Sequence, residues 1–293
     1  MADFTFDRVV VFQSLQPHEF KSGTELKLYL EGLSEDSSHP IPIELYEFSD
    51  LIGFKQQLLV LCNSIELGQH PILHLEMHGL ADASGLVLSD NSKITWSDLQ
   101  PILAELNMAS GFNLLVCVAT CFGGHSLSMV NPIRPSPCFA IIGPIKSISG
   151  PDLLQAFRGF YRILFESLDA KLAFKDLLGS RIVGSGFIGR SSEEWYLYLA
   201  KRFLEGYCKN YEAGQELDAA DSDKEDLNAL GFLGGRDQLN REKYRNFTSQ
   251  IFNRFFMVDD IPDCAQRFES TRLEAERLGQ QFFLTHSEVA APD

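Results

Sequence analysis

Residues 112–125 read "FNLLVCVATCFGGH", an almost unbroken apolar run that ends on a cysteine and two glycines. A strand open to water on one face alternates apolar and polar residues. One covered on both faces is apolar throughout, as in parallel sheets flanked by helices. A second such run, "ILHLEMHG" at 72–79, ends on a histidine and a glycine. Two strands of this type in one chain point to an α/β fold with a mainly parallel sheet.

Working outward, the first two-thirds of the chain alternates strand and helix signals. "RVVVFQSL" (8–15) and "IPIELYEF" (41–48) read as strands, and "KSGTELKLYLEGL" (21–33) as the helix between them. Leu51, Phe54, Leu58, Leu61, Cys62 and Ile65 recur at helical spacing, and Pro71 stops that helix. "GLVLSDNSKITW" (85–96) has the pattern of a hairpin turning at Asp-Asn-Ser. A short helix is expected over 97–107, weakened by Pro101. "CFAIIGP" (138–144) adds a strand, and apolar residues at 153, 154, 157, 160, 161, 164, 165 and 168 mark an amphipathic helix, with Asp152 as its expected cap. "RIVGSGFIG" (181–189) reads as a last strand.

Beyond about residue 190 the character changes. Trp195, Leu199, Phe203 and Tyr207 step by four, and Tyr244, Phe247, Ile251 and Phe255 repeat a helical rhythm. Stripes of this kind are core. The predicted organisation is therefore an α/β domain at 1–190 and a helical subdomain at 191–293.

Composition narrows the function classes. The chain has 293 residues, 45% hydrophobic and 22% charged, enough for a sizeable core. A formal charge of −15 argues against non-specific nucleic-acid binding, which draws on a basic surface. Acidity collects at "QELDAADSDKED" (215–226), read as a solvated loop. "MADFTFDRVVVFQSL" has no basic segment leading into a long apolar one, so no secretory leader is expected. No run approaches the roughly 18 apolar residues of a membrane helix. The six cysteines then read as reduced thiols in a cytoplasmic protein.

In a parallel sheet, functional groups gather beyond the carboxyl ends of the strands. His78 and Cys121 both stand there, each followed by a glycine-containing turn. An imidazole beside a thiol takes its proton or stabilises the thiolate, then protonates a leaving amine. The N–H groups of Gly79 and Cys121 would stabilise an oxyanion. His125 is an alternative partner for Cys121, whereas Cys117 and His74, inside their strands, read as core. Glu76 shares a strand face with His78, where it would orient a ring or line a pocket, and Asp82 reads as a solvated loop residue.

Metal competes with this reading. "CVATCFGGH" spells C-x3-C-x3-H and "HPILHLEMH" spells H-x3-H-x3-H, spacings that suit zinc on helices. On strands, positions four apart lie about 13 Å from one another, too far for two ligands of one ion. The expectation is therefore no metal and no organic cofactor.

"MHG" followed by "VATCFGG" resembles the histidine–glycine and alanine-x-cysteine-x-glycine signatures of caspase-like cysteine peptidases, which include caspases, metacaspases, separase and bacterial CHAT-type domains. In caspases the histidine lies about 50 residues before the cysteine, close to the interval from 78 to 121 here. The resemblance covers roughly residues 7–200 in strand order. It implies a caspase-like three-layer sandwich with a C-terminal helical extension. It also implies a cysteine endopeptidase, with His78 as general base or imidazolium and Cys121 as nucleophile. Such enzymes are held latent, act on a protein or peptide substrate and answer to a regulatory partner; bacterial relatives serve cell-death or antiviral defence.

The departures concern the pocket for the residue before the cleaved bond. Metacaspases carry aspartate, and caspases glutamine, two positions before the nucleophile; this chain has Ala119. Caspases take an arginine from a segment like "RSGTD", and "KSGTE" (21–25) offers Lys21, a point charge without the bidentate fork. Lys21, Glu76 and Ala119 are thus the candidate substrate-binding residues. A non-catalytic interaction module on the same fold stands as the alternative function, with a zinc-binding protein behind it.

Overall fold

The computed structural model describes residues 4–37, 39–65, 68–131, 133–179, 186–213 and 241–285. The described residues divide into two compact units. One comprises Asp3–Val130 and Pro137–Ser191, and the other Asn131–Ser136 with the chain from Ser192 onward. The expected boundary near 190 ignores the excursion at 131–136. The acidic stretch 215–226 and the side chain of Cys208 lie outside the described residues.

The first unit is an α/β layered structure on a six-stranded sheet. In chain order it holds β1 (Arg8–Gln13), α1 (Ser22–Glu35), β2 (Ile43–Glu47), α2 (Leu51–Ser64) and β3 (Pro71–Glu76). There follow β4 (His78–Gly79), β5 (Gly85–Val87), β6 (Lys93–Thr95), α3 (Trp96–Ala109), β7 (Leu115–Ala119) and a 3-10 helix (Gly123–Met129). β8 (Ala140–Pro144), α4 (Gly150–Ser167), α5 (Ala170–Gly179) and β9 (Phe187–Ser191) complete it. The strand order is β2-β1-β3-β7-β8-β9, and all neighbours are parallel except β9 against β8. A mainly parallel central sheet flanked by helices, with a C-terminal helical part, is consistent with a caspase-like three-layer sandwich.

The apolar runs form strands because every residue of β3 and β7 is buried. One sheet face sends Val9, Val11, Ile72, Leu115 and Cys117 into a core with α1, α4 and α5, where Phe157, Phe160 and Leu164 are fully enclosed. Each such side chain contributes about 1.5–3 kcal/mol by leaving water. On the opposite face Phe12 meets Phe54 of α2 edge-on.

Three expectations change in detail. The last strand, expected over 181–189, lies at 187–191 and runs antiparallel; residues 180–185 are outside the described part. A short apolar segment carries no signal of its direction. α3 runs through Pro101, because burial of Leu99, Leu103 and Leu106 outweighs one lost backbone hydrogen bond. Ser149, not Asp152, caps α4: its Oγ accepts the Asp152 N–H at 3.3 Å and donates to the Asp152 carboxylate at 2.6 Å.

The second unit contains α6 (Ser192–Ala213), α7 (Arg241–Phe255), α8 (Asp263–Arg267) and α9 (Glu269–Thr285). Tyr244, Ile251 and Phe255 are buried as their spacing predicts. On α6 the buried stripe is one position over, at Glu193, Tyr196 and Leu204, and Trp195 is only half-buried. Tyr196 explains the shift: its ring packs on Phe252, Phe255 and Phe256, and its hydroxyl donates to the Thr248 carbonyl at 3.0 Å. No described helix is long and apolar enough to cross a membrane.

Candidate active site

Parallel strands β1, β3, β7 and β8 end along one edge of the sheet, and the segments that follow them carry the candidate residues. After β3 the chain turns into β4, which pairs antiparallel with β5 in a separate three-stranded sheet. His78 and Gly79 thus belong to a small sheet of their own, an element that the sequence reading did not foresee.

Gly79 lies directly against the turn after β7. A Cβ on Gly79 would fall 1.8 Å from the carbonyl oxygen of Cys121, so only glycine admits this approach. The turn itself is tight. Phe122 adopts φ +61°, a left-handed conformation that costs a non-glycine residue about 1–2 kcal/mol. A Cβ on Gly123 would meet the Val118 carbonyl oxygen at 2.3 Å. The Phe122 N–H donates to the Lys146 carbonyl at 3.2 Å, tying this turn to the segment after β8.

Two backbone donors here have no backbone acceptor among the described residues. Leu80 N–H donates to Gly85 O at 2.9 Å, so the 80/85 pair is hydrogen-bonded. Antiparallel pairs alternate between hydrogen-bonded and open, which makes 78/87 bonded and 79/86 open. The Gly79 N–H therefore has no ladder partner, and the Cys121 N–H has no backbone acceptor among the described residues.

The Cys121 thiol is half-buried, 3.4 Å from Ser147 Oγ and 3.5 Å from the Ile148 carbonyl. No direct hydrogen bond joins it to His78 among the described residues. The His78 ring is half exposed and donates from Nε2 to Glu19 Oε1 at 2.7 Å. Glu19 sits in the loop from β1 to α1 and was not singled out from sequence. Its other oxygen accepts the Gln16 N–H at 2.6 Å. Burial pushes the Glu19 carboxyl up, but the Gln16 N–H, the His78 hydrogen bond and the charges of His78 and His18 together hold it below its ordinary value. Lys21 closes the same loop, its Nζ donating to the Leu15 carbonyl at 2.6 Å.

Glu76 and Ala119, the other candidate pocket residues, are cross-strand partners on β3 and β7, both buried. Glu76 orients a ring, that of His74 rather than His78: Oε1 lies 3.1 Å from His74 Nε2, and Oε2 accepts from Ser22 Oγ at 2.7 Å. His74 Nδ1 reaches the Tyr161 hydroxyl at 3.1 Å, and Tyr161 adjoins the Cys117 thiol. Burial pushes Cys117 up to about 12, with the Tyr161 contact opposing. His125 is exposed on the 3-10 helix, its ring edge-on to Phe122. Asp82 closes its own turn by accepting from the Ser84 hydroxyl and N–H.

The histidine and cysteine spacings that suggested zinc are split among these separate networks. Among the described residues no three His, Cys, Asp or Glu side chains form a metal-ligand group. A cleft of about 580 Å3 opens beside the edge, lined by Gln13, Leu15, Gln16, Pro17, Glu47 and Asp90 among others. Neither a family model nor a curated protein matches this chain.

Proposed function

We propose that the protein is a cysteine endopeptidase in which Cys121 attacks a peptide carbonyl and His78 handles the protons. The observation that carries this reading is the abutment of Gly79 on the Cys121 carbonyl, which brings the two strand ends together, with neither N–H group given a backbone acceptor among the described residues. In the reaction, the thiol proton passes to His78 and Sγ bonds to the carbonyl carbon. The oxyanion is held by the two N–H groups. Collapse expels the amine, which leaves with the proton from His78, and water then cleaves the thioester and restores the thiol. Water is the co-reactant: its hydroxyl goes to the acyl group and its proton to the thiolate.

The cleft borders the β1–α1 loop through Leu15, Gln16 and Pro17, and neither His78, Cys121 nor the candidate pocket residues line it. Lys21, Glu76 and Ala119 border the same strand ends, but their present partners favour no particular side chain before the cleaved bond. One observation favours a latent form: the thiol is engaged by Ser147 Oγ and the Ile148 carbonyl and not by His78. A regulatory protein that shifts the 147–148 segment away from the thiol would then act as activator. The same observation keeps the non-catalytic interaction module as a second reading.

The test is digestion of a proteome-derived peptide library by the wild type and by Cys121→Ala, read by mass spectrometry. Cuts made by the wild type alone are expected, and their aligned flanking residues define specificity. If neither protein cuts, a constitutively active peptidase is excluded.

A further inference from the structure

We propose that Glu19 is a positioning residue for His78, fixing the imidazole with Nε2–H toward its carboxylate and Nδ1 free to take the Cys121 proton. The inference rests on the cysteine-peptidase reading above.

Three observations carry it. The carboxylate is held at both oxygens, Oε1 by His78 at 2.7 Å and Oε2 by the Gln16 N–H at 2.6 Å, so it does not rotate freely. The loop bearing it is itself braced, because the Glu19 N–H donates to Gln16 O at 3.0 Å and Lys21 ties back to Leu15 O. And a carboxylate accepts only, so the nitrogen facing it must carry the hydrogen. In a neutral imidazole the other nitrogen, Nδ1, is then the acceptor. Without Glu19 both tautomers are open to a ring that is half in solvent, and in one of them Nδ1 carries a hydrogen and cannot take a proton.

The geometry also separates Glu19 from the chemistry. Among the described residues its hydrogen bonds run to His78 and to its own loop and none to the thiol, so its effect on Cys121 passes through the ring. A glutamine at 19 keeps an oxygen that accepts the same hydrogen, whereas alanine keeps nothing.

The test compares wild type, Glu19→Ala, Glu19→Gln and His78→Ala in two measurements. One is the rate of Cys121 alkylation by iodoacetamide at neutral pH, mapped by mass spectrometry. The other is the tautomer of His78 from long-range nitrogen–proton correlation spectra. The wild type is expected to show the Nε2–H form. Glu19→Ala is expected to mix the tautomers and slow alkylation about tenfold, as His78→Ala does, since reactivity follows the thiolate fraction. Glu19→Gln is expected to keep the tautomer and stay within about threefold of wild type. A role confined to stability would move the melting temperature of Glu19→Ala and neither readout.

If His78→Ala slows alkylation while Glu19→Ala leaves rate and tautomer unchanged, the positioning role is overturned and the Cys–His pair stands. If His78→Ala also leaves the rate unchanged, both fall together. Should Glu19→Ala fail to fold, a wild-type spectrum without the Nε2–H form overturns the inference alone.

Discussion

His74 and His78 stand four positions apart, and each meets a glutamate. In the first pair the side chains are 0% and 2% exposed and sealed under α4; in the second they are 51% and 26% exposed at the strand edge. Cys117 and Cys121 repeat the contrast, one inside β7 and one just past its end. The same residue types serve structure a few residues below the edge and are open to chemistry at it. Burial decides which: an enclosed polar group must keep its partners or cost stability, while a half-exposed one can exchange them for a substrate.

The sharpest way to break this contrast is to remove each histidine in turn. His74→Ala takes one partner each from Glu76 Oε1 and the Tyr161 hydroxyl in the core, and should cost about 3 kcal/mol or more in denaturant unfolding. His78→Ala should change stability by less than about 1 kcal/mol, as for an exposed pair, yet lower peptide cleavage by about 100-fold or more. A fold that tolerates His74→Ala, or a peptidase indifferent to His78→Ala, would erase the distinction.

The cysteines give a second test of smaller scope. Iodoacetamide on the folded protein should modify Cys121 well before Cys117, Cys138 or Cys264, whose thiols burial pushes up, Cys117 to about 12 and Cys264 to about 11. Early label on Cys117, mapped by tandem mass spectrometry, would mean that the core opens on that timescale.

Acid probes the exposed pair through Glu19. A carboxyl held below its ordinary value contributes stability that is complete above that value, 4.5 for Glu19, and is lost as pH falls through the lower folded value. The smallest effect follows: the stability difference between wild type and Glu19→Ala should be flat near neutrality and vanish in acid. A difference that grows on acidification would contradict the direction of the Glu19 shift.

How much of this was legible in the sequence depended on the kind of signal. β1, β3 and β7 stand out because burial on both faces demands continuous apolar runs, and α4 because its apolar positions keep a helical period. The strand ends then singled out His78 and Cys121. Glu19 left no trace: it lies in a loop, far along the chain from His78, and a polar loop residue has no pattern that announces its partner. β4 was invisible because two residues carry no periodicity. On α6 two aromatic stripes compete, Trp195 and Tyr196, and only the available partners decide which turns inward.

The contact of Gly79 with the Cys121 carbonyl has one further consequence. In a saturation-mutagenesis screen, intolerance at a position is commonly taken as a mark of function, yet here the two causes separate. Substitutions at His78 and Cys121 should survive a selection that reads only abundance and disappear under one that reads cleavage. Gly79 should be depleted in both, because any larger residue prises the small sheet off the turn before chemistry is at issue.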